Sequence, residues 1–235
     1  GALDAASLDP SIELLLVGLE DTLQGRNFPA NVKRVFCGSV MSMDEDVRSL
    51  MRKRDSSIWV ATQLVKDGEA DAVVSAGSTA AQMAAATLLL SRLKGVERPG
   101  LGLVVPTIRG GRLLLDAGAN AECTPQMLLQ FAELGAVYAE QLLDIENPKV
   151  GLLSNGTEAH KGNSIIQQAY TLLQASGLNF IGNIEGRDIL EGTCDVMVCD
   201  GMSGNIAIKS IEGTVQVLMT MIKKEFTAST KRKMG

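Results

Sequence analysis

Apolar residues in this chain come as short continuous runs, each closed by glycine or a small polar residue, and not as alternating positions. Runs of this kind suit strands buried on both faces of a parallel sheet. They predict strands at residues 14–17, 72–75, 150–154 and 196–199, and residues 32–37 and 179–181 also read as strands. Helical spacing fills the stretches between them. Residues 43–54 carry Asp44, Glu45 and Asp46 first and Arg48, Arg52, Lys53 and Arg54 last, an order that complements a helix dipole. Asp55-Ser56-Ser57 caps a helix to about Lys66, and Thr124 caps one over 125–143. Residues 79–93 are rich in Ala and Leu on every side, which predicts a buried helix. Helices over 163–175 and 203–226 complete the set, and 101–106 with 112–116 read as a strand pair turning at Arg109-Gly110-Gly111.

Strands alternating with helices place the chain in the α/β class, with right-handed crossovers and a mainly parallel sheet. No low-complexity linker divides it, and residues 94–148 are the candidate for a second lobe.

Composition narrows the chemistry. At 235 residues and 46% apolar the chain can bury a substantial core, and 3% aromatics with abundant small residues fits close helix-on-sheet packing. A net charge of −5 gives no overall basic field for nucleic acid. The four cysteines, Cys37, Cys123, Cys194 and Cys199, form no C-x-x-C pair, and His160 is the only histidine. That disfavours zinc and fits reduced thiols in a cytoplasmic protein. The longest apolar stretch, 80–90, is interrupted by Gln82 and Thr87 and is short of a membrane span. No signal-peptide pattern is read.

Four loops after predicted strands carry the polar chemistry. The first is Ser75-Ala76-Gly77-Ser78-Thr79, small and hydroxyl-bearing before a helix. The second contains Asp116, Gly118 and Asn120. The third runs from Ser154 through Glu158, His160, Lys161 and Gly162 to Asn163, and the fourth holds Asp200, Gly201, Ser203, Gly204, Asn205 and Lys209. Glycines let backbone N–H groups approach a ligand, and helix starts favour anions. The plainer reading makes each loop a turn with a capping side chain. In open α/β sheets ligands bind beyond the carboxyl ends of strands, so in one parallel sheet the four loops should meet at one edge.

The series S-A-G-S-T, R-P-G from Arg98, L-L-D-A-G-A-N, L-L-S-N-G-T-E-A-H-K-G, F-I-G-N-I-E-G-R-D and V-C-D-G-M-S-G-N-I-A-I-K-S-I-E-G occurs in this order. It closely resembles the acyl carrier protein:phosphate acyltransferases of bacterial phospholipid synthesis, over about residues 12–226. The resemblance implies a three-layer α/β fold of the isocitrate dehydrogenase and phosphotransacetylase kind, usually a homodimer. It also implies that inorganic phosphate attacks a long-chain acyl carrier thioester, giving acyl phosphate and free carrier, with no cofactor and no metal. The sequence departs from the family at Ser78 and Ser154, where Asn is common, and at Met202-Ser203, where Phe-Thr is common. The expected organisation is one domain over 1–235, lacking the family's N-terminal glycine loop and C-terminal segment.

For that chemistry the 75–79 and 200–205 loops are expected to hold phosphate and the carbonyl oxygen. Binding is assigned to Ser75, Gly77, Ser78, Thr79, Asn120, Gly162, Asn163, Gly201, Ser203, Gly204, Asn205 and Lys209. Lys161 and Lys209 offset negative charge, and Asp116, Glu158 or Asp200 orients or deprotonates phosphate. An acidic carrier protein calls for a local basic patch, either Arg48 with Arg52-Lys53-Arg54 or Lys223-Lys224 with Lys231-Arg232-Lys233. The stripe Val215, Leu218, Met219, Ile222 and Phe226 suits a core or dimer interface, or peripheral membrane contact. A dehydrogenase of related fold, which would need a G-x-G-x-x-G that is absent here, and a non-catalytic carrier or membrane scaffold are the rival readings.

Overall fold

The computed structural model describes residues 1–227. They fall into two compact units, Gly1–Gly95 and a second that begins at Val96. The first unit contains α1 (Ala2–Leu8), β1 (Leu14–Leu19), α2 (Glu20–Leu23), β2 (Val32–Cys37), α3 (Ser57–Lys66) and α4 (Thr79–Leu89). β1 and β2 pair in parallel, from Leu14 opposite Val32 to Leu19 opposite Cys37. Leu50, Ile58, Ala81 and Ala85 form a small core, with Met41 and Trp59 packed against it.

Three expectations shift in this unit. Segment 43–54 winds only a 3-10 turn at Val47–Met51, capped by Asp46 accepting the Arg48 N–H. Glu45 instead accepts from the Ser49 hydroxyl and the Lys53 ammonium at 2.6 and 2.8 Å, so the charge order serves side-chain pairs across the turn. Residues 72–75 join no ladder among the described residues, and Val74 stands 95% exposed. α4 ends at Leu89 and buries one face only: Ala81, Ala85 and Leu89 point inward while Leu88 and Leu90 are exposed. Alanine suits either environment, which hid that face in the sequence.

The second unit contains β3 (Gly102–Thr107), β4 (Gly110–Leu115), α5 (Pro125–Leu142), β5 (Val150–Leu153), α6 (Ser164–Ala175), β6 (Phe180–Ile184), α7 (Asp188–Glu191), β7 (Val196–Val198) and α8 (Gly201–Thr227). Its strands are ordered β3-β4-β7-β5-β6. The β3–β4 hairpin is antiparallel and the other pairs are parallel. The hairpin turns at Ile108-Arg109, where the Thr107 hydroxyl donates to the Gly110 carbonyl at 2.7 Å. Residues 94–148 make no lobe of their own, since β3 and β4 join the same sheet as the later strands.

Both faces of this sheet are covered. α5 and α6 bury Leu128, Phe131, Ala132 and Leu173 against Leu113, Val150, Leu152, Val196 and Val198. On the other face Leu114, Met197 and Ile189 meet Ala207, Ile208 and Ile211 of α8. Each fully buried aliphatic side chain contributes about 1.5–3 kcal/mol, and the short central strand β7 is buried throughout. The result is the three-layer, mainly parallel arrangement expected.

β4, β7 and β5 lie side by side and run the same way, so the loops after Leu115, Val198 and Leu153 leave one sheet edge. The expectation of a single sheet fails for the first of the four loops. Residues 75–79 belong to the first unit, whose two-stranded sheet is separate. Among the described residues no helix is long and apolar enough to cross a membrane.

Candidate functional site

Asp116 follows β4 and is fully buried. Its Oδ1 accepts from the N–H groups of Leu101, Gly118 and Ala119 at 3.0, 3.1 and 2.9 Å. Its Oδ2 accepts from the Asn120 N–H and Nδ2 at 2.7 and 2.8 Å. These donors offset the cost of burying a carboxylate. Expected to orient or deprotonate a substrate, Asp116 instead fixes its own loop. Asn120 extends the framework: its Nδ2 also donates to the Pro99 carbonyl at 2.9 Å, and its carbonyl accepts the Gly201 N–H at 2.8 Å.

Close approach explains the glycines of the fourth loop. A Cβ on Gly201 would lie 2.7 Å from the Asn120 carbonyl oxygen, and one on Gly204 would strike the Asp116 carbonyl oxygen. The glycines expected to admit a ligand therefore admit the neighbouring loop. The first turn of α8 is also occupied: Gly201 N–H goes to Asn120, Ser203 N–H to Asp200 Oδ1, and Gly204 N–H to the Asp200 carbonyl. These N–H groups are not an open anion cradle.

Beside this seam opens a cavity of 1020 Å³. Asn120, Asp200, Ser203 and Asn163 line it, which brings together four of the expected residues from three loops. Asp200 accepts the Ser203 N–H and hydroxyl at 2.8 and 2.9 Å. Asn163 caps α6 by accepting the Ile166 N–H, and Thr124, also at the wall, caps α5 by accepting the Met127 N–H. Three helices thus begin at one cavity, and their dipoles together favour an anion there. Met127, Leu128, Ile165, Ile166 and Met202 supply an apolar wall.

The remaining expected residues lie elsewhere. Glu158, Lys161 and Gly162 are in the β5–α6 loop outside the cavity lining. Gly162, at φ 87°, donates its N–H to Asn155 Oδ1 at 2.9 Å, and Asn183 Nδ2 holds the Glu158 carbonyl at the same distance. Asn205 stands over Gly118, and Lys209 pairs with Glu212 at 2.7 Å on the exposed side of α8. In the first unit, Ser78 Oγ caps α4 by accepting the Ala81 N–H, Thr79 opens that helix, and Ser75 Oγ accepts the Gly77 N–H. Capping, the plainer reading, accounts for these contacts.

Among the expected basic patches, Lys53 is paired with Glu45, and Arg54 lies 5.6 Å over the Trp59 ring. Lys223 and Lys224 sit on α8, whereas Lys231, Arg232 and Lys233 lie outside the described residues. Burial pushes the Cys123 thiol up to about 11 and the Cys194 thiol up to about 12, and it raises Cys199 as well. Cys199 donates to the Asp116 carbonyl at 3.3 Å and is a structural thiol. Among the described residues no group of three or more His, Cys, Asp or Glu is arranged to hold a metal.

Sequence reasoning missed Arg98 and Glu122, both in the cavity wall. The signal for Arg98 was present in R-P-G, a motif that no strand-end loop explained.

A family model described as fatty acid synthesis protein matches residues 1–235. A phosphate acyltransferase of Desulfitobacterium hafniense (strain DSM 10664 / DCB-2) is 51% identical over 230 residues, covering 95% of this chain and 69% of its own length. One from Heliobacterium modesticaldum is 46% identical over 242 residues, covering all of this chain and 72% of its own. In fold, the chain is similar to a phosphotransacetylase from Streptococcus pyogenes, at a TM-score of 0.65 and 19% identity over 92% of this chain and 78% of that one. Matched along its whole length and closely related to named members, the chain belongs to the fatty acid synthesis protein family.

Proposed function

We propose that the cavity of the second unit is where this acyltransferase moves an acyl group from an acyl carrier protein thioester to inorganic phosphate. Its relatives are named phosphate acyltransferases, and the carrier thioester as acyl donor follows from the motif resemblance. The observation that supports placing it here is the meeting of three capped helix starts with an apolar wall in one cavity. The polar side suits a phosphate dianion, and the apolar side suits an acyl chain.

In this reading a phosphate oxygen attacks the thioester carbonyl carbon. The new C–O bond creates a tetrahedral oxyanion, and its collapse breaks the C–S bond. The carrier leaves as thiolate and takes up the proton that phosphate releases. No protein nucleophile is needed; the protein's work is to hold and orient the dianion beside the carbonyl. Asp200 accepts a hydrogen bond from the phosphate O–H before that proton passes to the leaving thiolate, Asn120 and Ser203 offer polar contacts, and Asp116 positions the loop. Lys161 and Glu158 stand on the loop leaving the same sheet edge and form a second tier of candidates.

The same reading includes a cytoplasmic homodimer with peripheral membrane contact. Its support is the α8 stripe of Val215, Leu218, Met219, Ile222 and Phe226, which is 48–63% exposed. A second copy covering that surface is the expected occupant. Sedimentation of the purified chain alone tests the dimer, and co-sedimentation with vesicles tests the membrane contact.

Release of free thiol from an acyl carrier thioester, measured with and without phosphate, tests the activity. Strict phosphate dependence is expected. Thiol release that ignores phosphate, or none, overturns the assignment.

A further inference from the structure

We propose that Arg98 is the residue that grips inorganic phosphate in this cavity, an assignment that rests on the acyltransfer reading above. Three charged side chains stand among the lining residues: Arg98, Glu122 and Asp200. A phosphate dianion beside two carboxylates needs a cation, and Arg98 is the one the wall supplies. Lys209, expected for that role, is paired with Glu212, and Lys161 is outside the lining.

The backbone around Arg98 is tied down on both sides. Glu97 N–H donates to Gln130 Oε1 at 2.9 Å, and the Pro99 carbonyl accepts Asn120 Nδ2 at 2.9 Å. Leu101 N–H donates to Asp116 Oδ1 at 3.0 Å, and the Leu101 carbonyl accepts the Ala117 N–H at 2.8 Å. Gly100 is required for this path, since a Cβ there would lie 2.9 Å from Leu115 Cδ1 and 3.1 Å from Phe131 Cε1. Arg98 itself forms no salt bridge among the described residues, so its guanidinium is available while its backbone is fixed. A planar fork carried on a fixed backbone suits bidentate contact with phosphate oxygens.

The test uses the full chain with Arg98→Gln and Arg98→Lys. Arg98 is exposed, and both variants should fold, which thermal unfolding verifies. Arg98→Gln is expected to raise the KM for phosphate on the order of 10- to 100-fold, the loss of a charged hydrogen-bond pair, with the KM for the acyl carrier thioester unchanged. Arg98→Lys keeps the charge and should recover part of the loss. An unaltered phosphate KM in Arg98→Gln, or a rise confined to the carrier thioester, overturns the assignment and leaves acyltransfer standing. If the unaltered chain shows no phosphate-dependent thiol release, acyltransfer itself fails. Phosphorus NMR with inorganic phosphate then decides on Arg98: binding lost in Arg98→Gln supports it, and binding equal or absent in both proteins overturns it.

Discussion

Asn120 Nδ2 donates to Asp116 Oδ2 at 2.8 Å, and this pair joins the strand-end loop to two others. Through it, the Pro99 carbonyl and the Gly201 N–H are bound to the same turn, residues 116–120. A carboxylate with five donors is a strong structural element because every donor depends on its charge. Asp116→Asn keeps the shape but turns an amide N–H toward backbone N–H groups. We expect a loss of about 3 kcal/mol in unfolding free energy, read from urea denaturation. A value within about 0.5 kcal/mol of the unaltered protein would show that the carboxylate does not hold the loop.

Gly204→Ala should be among the most damaging single-methyl additions in the chain. Its Cβ would strike the Asp116 carbonyl oxygen and sit 2.9 Å from Cys199 Sγ, and neither backbone can retreat without opening the seam. The expected cost is above about 2 kcal/mol by thermal unfolding. Gly186→Ala is the control, since nothing lies within 4 Å of its Cβ, and its change should stay within about 0.5 kcal/mol.

The buried cysteines give a pH prediction. Burial raises the Cys123 thiol to about 11 from an ordinary value of 9.0, so the folded state keeps the proton after the unfolded chain has lost it. The stability this contributes is present below about pH 9 and is lost as pH rises toward 11. Unfolding midpoints measured across that range should fall. At pH 8, brief iodoacetamide treatment followed by mass spectrometry should label the partly exposed Cys37 and spare Cys123, Cys194 and Cys199. Labelling of Cys199 at a rate matching Cys37 would contradict its burial.

Much of the second unit was legible from sequence. Continuous apolar runs at 150–154 and 196–199 gave buried strands because both faces of that sheet are covered. Thr124 and Asn163 were correct helix starts because a side-chain cap is a local interaction. Segment 43–54 was misread because acids before bases fit a helix dipole and also fit Glu45 bridging Ser49 and Lys53. The glycines of D-G-M-S-G were legible as close-approach positions, but sequence cannot say whether a ligand or another loop comes close. Arg98 was passed over for a similar reason. What fixes its segment is Asn120, 21 residues on from Pro99, a contact that only tertiary structure creates.

Lys209→Ala should leave the phosphate KM unchanged and alter stability by less than about 1 kcal/mol. Its ammonium is exposed and paired with Glu212 three residues on. A phosphate KM raised as far as in Arg98→Gln would return Lys209 to the site and weaken the case for Arg98.

At Gly201 and Gly204 the seam brings main chain against main chain, where any Cβ would meet the Asn120 and Asp116 carbonyl oxygens. Acyl-length preference should therefore be tunable at Met202, Ile165 and Met127 without disturbing that floor. Selection for new substrates would find its freedom in the wall and its veto in two glycines.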